Sequence, residues 1–149
     1  MDLDGRSSLS GENVYIFVCK GARTNDTPAC SIVFHENGTL YGGLALSTKD
    51  RTIYYTINGG IYGPGAIRRV GMDGSDPTVV LETGSHVVAG LALDAAASRL
   101  YWAEHYPGLI QSCDLDGTNP ELVGWFGYTH GIAVSGDRVY WTNPTSGWL

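Results

Sequence analysis

The sequence predicts an all-β protein made of small antiparallel sheets repeated along the chain, and three observations carry that prediction. The word Gly-Leu-Ala-Leu recurs as Gly43-Leu44-Ala45-Leu46, Gly90-Leu91-Ala92-Leu93 and Gly131-Ile132-Ala133-Val134. Each copy leads to an aromatic pair, Tyr54-Tyr55, Tyr101-Trp102 or Tyr140-Trp141, and the first two copies lead on to Asp-Gly turns at Asp73-Gly74 and Asp116-Gly117. From Gly43 to Gly90 is 47 residues and from Gly90 to Gly131 is 41, a period at which self-similarity marks solenoids and propellers.

Each unit resolves into four strands. In the first, residues 43–47 form an inner strand of small and apolar residues, followed by strands over 51–57, 66–71 and 78–82. Lys49-Asp50 makes the first turn, Asn58-Gly59-Gly60 opens the longer connection, and residues 73–77 make the last turn. The second unit repeats this over 90–93, 99–104, 109–114 and 121–124. Runs rich in Val, Ile, Tyr and Trp, punctuated by Gly, Asp, Asn and Pro, are the signature of such strands. No segment holds a helical period.

The third unit ends after its second strand. The N-terminal Asp2-Leu3-Asp4-Gly5 matches Asp114-Leu115-Asp116-Gly117, the end of a third strand, so Val14 to Val18 is expected as a fourth. The two ends would then be halves of one blade, an arrangement that removes exposed sheet edges. The whole of 1–149 reads as one domain of three to three and a half blades. Residues 19–42 fit least well: an irregular insertion or a degenerate blade, with Ser31 to Phe34 and Thr39 to Tyr41 flanking a type I′ hairpin signal at His35-Glu36-Asn37-Gly38.

Bulk properties narrow the function. A net charge of −6 gives no electrostatic basis for nucleic acid or an anionic membrane, and no apolar run approaches the ~18 residues of a membrane span. Met1 to Gly5 is acidic where a secretory leader would be basic and then apolar. Cys19 and Cys30 flank a polar, turn-rich stretch that a disulfide would staple, although spacing alone does not show pairing. Cys113 reads as an inert buried thiol. The sequons at Asn25 and Asn37 favour an extracellular or cell-surface setting.

The repeated words resemble the YWTD repeat, the class B repeat of the low-density-lipoprotein receptor. Tyr101-Trp102-Ala103-Glu104 and Tyr140-Trp141-Thr142-Asn143 are near the defining word, and Tyr54-Tyr55-Thr56-Ile57 is a weaker copy. Ile67-Arg68-Arg69 with Met72-Asp73-Gly74, and Ile110 with Leu115-Asp116-Gly117, match the later words. The resemblance implies a six-bladed β-propeller used as a binding platform, usually for proteins. None of the three copies keeps the acidic Asp at the fourth position of the word. Three and a half units do not close a ring of four to eight blades; either a longer propeller contains them or two copies assemble into six blades.

Connections after the second and fourth strands of a blade open on one face. That face collects Tyr62, His105, Tyr106 and Trp148 from the first set, and His86, Trp125, Phe126, Tyr128 and His130 from the second. The opposite face is small and polar. Tyr, Trp and His combine an apolar face with a polar tip, the composition favoured at recognition hot spots. The expected ligand-binding face is therefore Tyr62, His105, Tyr106, Trp125, Tyr128 and His130, presented to a protein, peptide or glycan. The competing reading is that such aromatics seal gaps between blades. No metal or cofactor motif is present. An enzymatic alternative, a lyase or lactone hydrolase, would use His86 and His130 near a central channel. A third alternative is a structural, self-assembling unit.

Overall fold

A computed structural model of the chain describes residues 13–20, 27, 29–37, 42–58, 65–84 and 87–144. Among them lie twelve strands in four antiparallel sheets and no helix. Strands β1 (Asn13–Lys20) and β2 (Ala29–Asn37) form a hairpin. A four-stranded meander follows: β3 (Leu44–Ser47), β4 (Thr52–Ile57), β5 (Gly65–Gly71) and β6 (Thr78–Gly84). A second consists of β7 (Val88–Asp94), β8 (Arg99–Glu104), β9 (Leu109–Asp114) and β10 (Glu121–Trp125). The hairpin of β11 (Ile132–Ser135) and β12 (Arg138–Trp141) completes the set.

The repeated words take the same register in every unit. Leu44, Leu91 and Ile132 lie opposite Tyr55, Trp102 and Trp141, while Ala45, Ala92 and Ala133 lie opposite Tyr54, Tyr101 and Tyr140. A one-residue slip would send each aromatic to the wrong face, so this identity of register makes the units structural repeats. Adjacent strand residues face opposite ways, and here both faces are covered. Tyr54 joins Val88, Leu91, Leu100, Trp102 and Cys113 of the following sheet, whereas Tyr55 joins Ile16, Ile53 and Val70 on the preceding side. Burial on two sides explains why Ile53 to Thr56 shows no polar alternation. Ile67, Val70, Leu100 and Ile110 retain no exposed surface, each contributing on the order of 2 kcal/mol.

The β1–β2 hairpin repeats the outer half of each meander. All three outer hairpins carry a bulge at the same place, with Val33, Val80 and Val123 as the extra residue opposite Ile16, Ile67 and Ile110. The turn glycine Gly74 backs onto the Val33 carbonyl as Gly117 backs onto that of Val80. Val14 to Val18 therefore belongs to a strand in the third position of a blade, not the fourth. The turn expected at His35 to Gly38 is also displaced: His35, Glu36 and Asn37 continue β2 opposite Tyr15, Val14 and Asn13. Val14 and Ile16, 1% and 6% exposed, anchor that pairing, and long-range burial overrides the local turn signal. Asp2 to Gly5 lies outside the described residues. Cys19 and Cys30 face each other across β1–β2 and are bonded.

Polar groups tie the outer rims. Arg99 donates to Asp114, Ser112 and Glu121, joining three strands of one sheet. In the two Asp-Gly turns, Asp73 accepts from the amide and hydroxyl of Ser75, and Asp116 from those of Thr118; these donors hold both carboxyls below the usual carboxylate range. Arg68 reaches from β5 to Glu36 of β2 at 3.2 Å. Cys113 is fully buried, and burial pushes its thiol up to about 11. It stays protonated and inaccessible well above neutral pH, so a maleimide at pH 8 should leave it unmodified in native protein and label it once in denaturant.

Candidate functional site

The site is built where the β8–β9 turn meets the segment after β10. Both are held by main-chain bonds. His105 N donates to Val87 O, Phe126 N to Gly108 O, and His130 N to Thr142 O, each at 2.9–3.0 Å. Thr129, fully buried, donates its hydroxyl to the Glu104 carbonyl at 2.7 Å. Gly108 has φ of 87°, and a side chain there would collide with the backbone of Gly127. The Tyr106-Pro107 peptide is cis. Below the turn, Glu104 is 1% exposed and accepts from Trp102 Nε1 at 3.1 Å and from Gln111 Nε2.

On this frame four rings come together. His105 and Tyr128 have centroids 5.5 Å apart, His105 and His130 lie edge-on at 6.0 Å, and Tyr106 and Tyr128 are 5.9 Å apart. Trp125 is tied to the same turn by its indole N–H, which donates to Pro107 O at 2.6 Å. Tyr106, Trp125 and Tyr128 remain 68%, 70% and 47% exposed. Because a carbonyl only accepts, the 3.3 Å approach of His105 Nδ1 to Thr129 O is a hydrogen bond with Nδ1–H as donor. Residues 105–108 and 125–131 contain no Asp, Glu, Lys or Arg. The patch can offer large apolar faces with hydroxyl, imidazole and carbonyl tips.

Five of the six expected face residues, His105, Tyr106, Trp125, Tyr128 and His130, thus meet around one turn. Tyr62 lies outside the described residues, as do His86 and Trp148. Phe126 does the sealing instead, its ring 4.3 Å from that of Trp141. Sequence reading missed Thr129 and Gly108, which position the turn; a lone Thr in a loop carries no signal, whereas Pro107-Gly108 is a turn mark whose contact partner is invisible in sequence. Among the described residues no group of three or more His, Cys, Asp or Glu is arranged for a metal ion. On the opposite face an open cleft of about 310 Å³, lined by Asp50, Arg51, Arg69, Asp73 and Asp76 among others, fits the expected polar character.

No protein-family model matches the chain. A chain in the crystal structure of a nidogen/laminin complex superposes with a TM-score of 0.70 at 22% identity, over 90% of this chain and 54% of that one. The vitellogenin receptor Yl of Drosophila melanogaster is 32% identical over 79 residues, 52% of this chain and 4% of the receptor. This chain has the fold of a partial β-propeller, and its repeats are similar to the YWTD type. The YWTD segment is also similar to the cueball proteins, 28% identical over 125 residues in Drosophila sechellia and 30% in Drosophila erecta, covering 80% of this chain. It spans about a fifth of the length of those cueball proteins, 19% in each case. The relatives are a receptor, a component of a protein complex and the cueball proteins; none is named for a catalytic activity.

Proposed function

We propose that this YWTD segment is a non-catalytic recognition module whose loop face captures a protein, peptide or glycan through His105, Tyr106, Trp125, Tyr128 and His130, with Tyr62 added from the neighbouring unit. One observation carries the reading: an aromatic cluster stands largely exposed on a turn that buried hydrogen bonds hold rigid. Rigid aromatics lose little conformational entropy on binding, which is why they dominate interface energetics. The nidogen/laminin neighbour makes a protein partner the first choice, in an extracellular or cell-surface setting that the Cys19–Cys30 bond also favours. A second copy of the chain is a further proposed partner, because two such units hold the strands of a ring.

Immobilised laminin and a glycan array serve as probes. Tyr106→Ala and Trp125→Ala should each reduce capture at least tenfold, since buried aromatic hot spots contribute about 2 kcal/mol or more, while thermal denaturation stays near wild type. A collapse of the melting temperature in both variants would assign these rings to packing and sink the binding face. The enzymatic alternative predicts turnover of a lactone or depsipeptide panel that is lost in His130→Ala.

A further inference from the structure

Several large apolar side chains are exposed at the two ends of the strand array, away from the loop face. Tyr15, Phe17, Leu44 and Leu46 stand at one end, Tyr140 and Trp141 at the other. Their counterparts inside the chain are covered. Tyr54, equivalent to Tyr140, is 2% exposed against 52%, and Leu91, equivalent to Leu44, is 6% against 50%. Tyr54 and Leu91 share one core cluster. Exposed Tyr140 and exposed Leu44 are therefore the two halves of a contact that the chain already makes once within itself.

The backbone is complementary in the same sense. Among the described residues, β11–β12 is an inner hairpin without outer strands, and β1–β2 is an outer hairpin without inner ones. Inner strands also approach closely: a side chain at Gly43 would strike the backbone of Gly90 and Leu91, and one at Gly90 that of His130 and Ile132. At Gly131 it would meet only the Thr142 hydroxyl. The side of β11 that corresponds to these contacts is open to another β3.

We propose that two copies of this chain close into one ring, β12 of each pairing antiparallel with β1 of the other. Carrying over the register of β4–β5 and β8–β9 sets Val139 opposite Cys19, Tyr140 opposite Val18 and Trp141 opposite Phe17, and lays Tyr140 against Leu44 and Leu46. The interface is isologous and pairs the edges of β1 and β12 that have no partner strand among the described residues. A second copy fits as the occupant because its Leu44 offers Tyr140 the contact that Leu91 gives Tyr54 inside the chain. One cross-strand pair is unfavourable, because Arg138 falls opposite Lys20 where Arg99 meets Asp114 inside the chain. Arg138→Glu should therefore tighten the dimer several-fold. The proposal rests on the propeller reading and not on the aromatic site, and its test needs no ligand.

Light scattering at micromolar concentration should give twice the 16.0 kDa chain mass; a monomer would overturn the proposal. Val18→Cys and Tyr140→Cys chains, mixed and treated with a short bis-maleimide, should cross-link only in the mixture, since Cβ atoms of opposed residues lie ~5 Å apart. A wild-type dimer whose mixed variants fail to cross-link would overturn the register. Gly131→Val should halve the mass with an unchanged circular dichroism spectrum, and persistence of its dimer would count against the proposed approach of β3 to β11. Loss of laminin or glycan capture leaves all three readouts untouched, which separates failure of the aromatic site from failure of the ring.

Discussion

Trp102→Ala should lower unfolding stability by about 4 kcal/mol, the upper range for a buried aromatic. Trp102 is 1% exposed and joins the core cluster shared by the two meanders. Two losses combine. Removing the indole leaves a cavity between sheets that cannot collapse independently, and it takes a donor from Glu104, buried at 1% and bonded to Trp102 Nε1. Glu104 keeps the Gln111 donor, so losing one of its hydrogen bonds accounts for about 1 kcal/mol of that total. Native domains have only about 5–15 kcal/mol in hand, so the variant should lose a large share of its margin and melt well below wild type. Trp102→Phe separates the terms, keeping most of the ring volume while deleting the hydrogen bond, and should lose about half as much. Urea denaturation followed by circular dichroism measures both; an alanine variant within 1 kcal/mol of wild type would contradict the packing described for this core.

The second large effect is expected at Gly108. Its φ of 87° disfavours any side chain by about 1–2 kcal/mol, and the Gly127 backbone occupies the space a Cβ would need. Gly108→Val should cost more than 3 kcal/mol, because relieving that overlap breaks the Phe126 N to Gly108 O bond and loosens the turn that receives the Trp125 indole. Binding should fall with stability here, unlike the Tyr106 and Trp125 variants. Gly136→Ala is the control: φ is also positive at 59°, yet nothing lies within 4 Å. It should cost only about 1 kcal/mol. Equal losses at Gly108 and Gly136 would remove the steric argument.

What the sequence made legible was whatever depended on period and alternation. The inner words, the aromatic pairs and the Asp-Gly turns placed β3 to β10 to within two residues, because each word is tied to a repeated backbone position. The β1–β2 hairpin was harder. Its cysteines sit within the two strands and no Asp-Gly word separates them in the sequence, and the Asn37-Gly38 step imitates a hairpin turn while His35 to Asn37 are paired with β1. Pairing between Val14 and Glu36 is a long-range choice decided by the burial of Val14 and Ile16. The aromatic face followed from which loops share a side. That Phe126 turns toward Trp141 while its neighbour Trp125 turns outward depends on the backbone exit from β10, which composition does not encode. Glu104, a departure from the family word, accepts hydrogen bonds from the Trp two residues before it and from Gln111 on the next strand.

The seating of Gly74 on the Val33 carbonyl, and of Gly117 on that of Val80, means that main-chain atoms help fix the pitch between successive units at that rim. Loop side chains at the far rim take no part in these contacts. Evolution can then recast the connections at the far rim, lengthening, shortening or recolouring them with new chemistry, and inherit the same wheel each time. The loops can diverge long before the stacking of the sheets does.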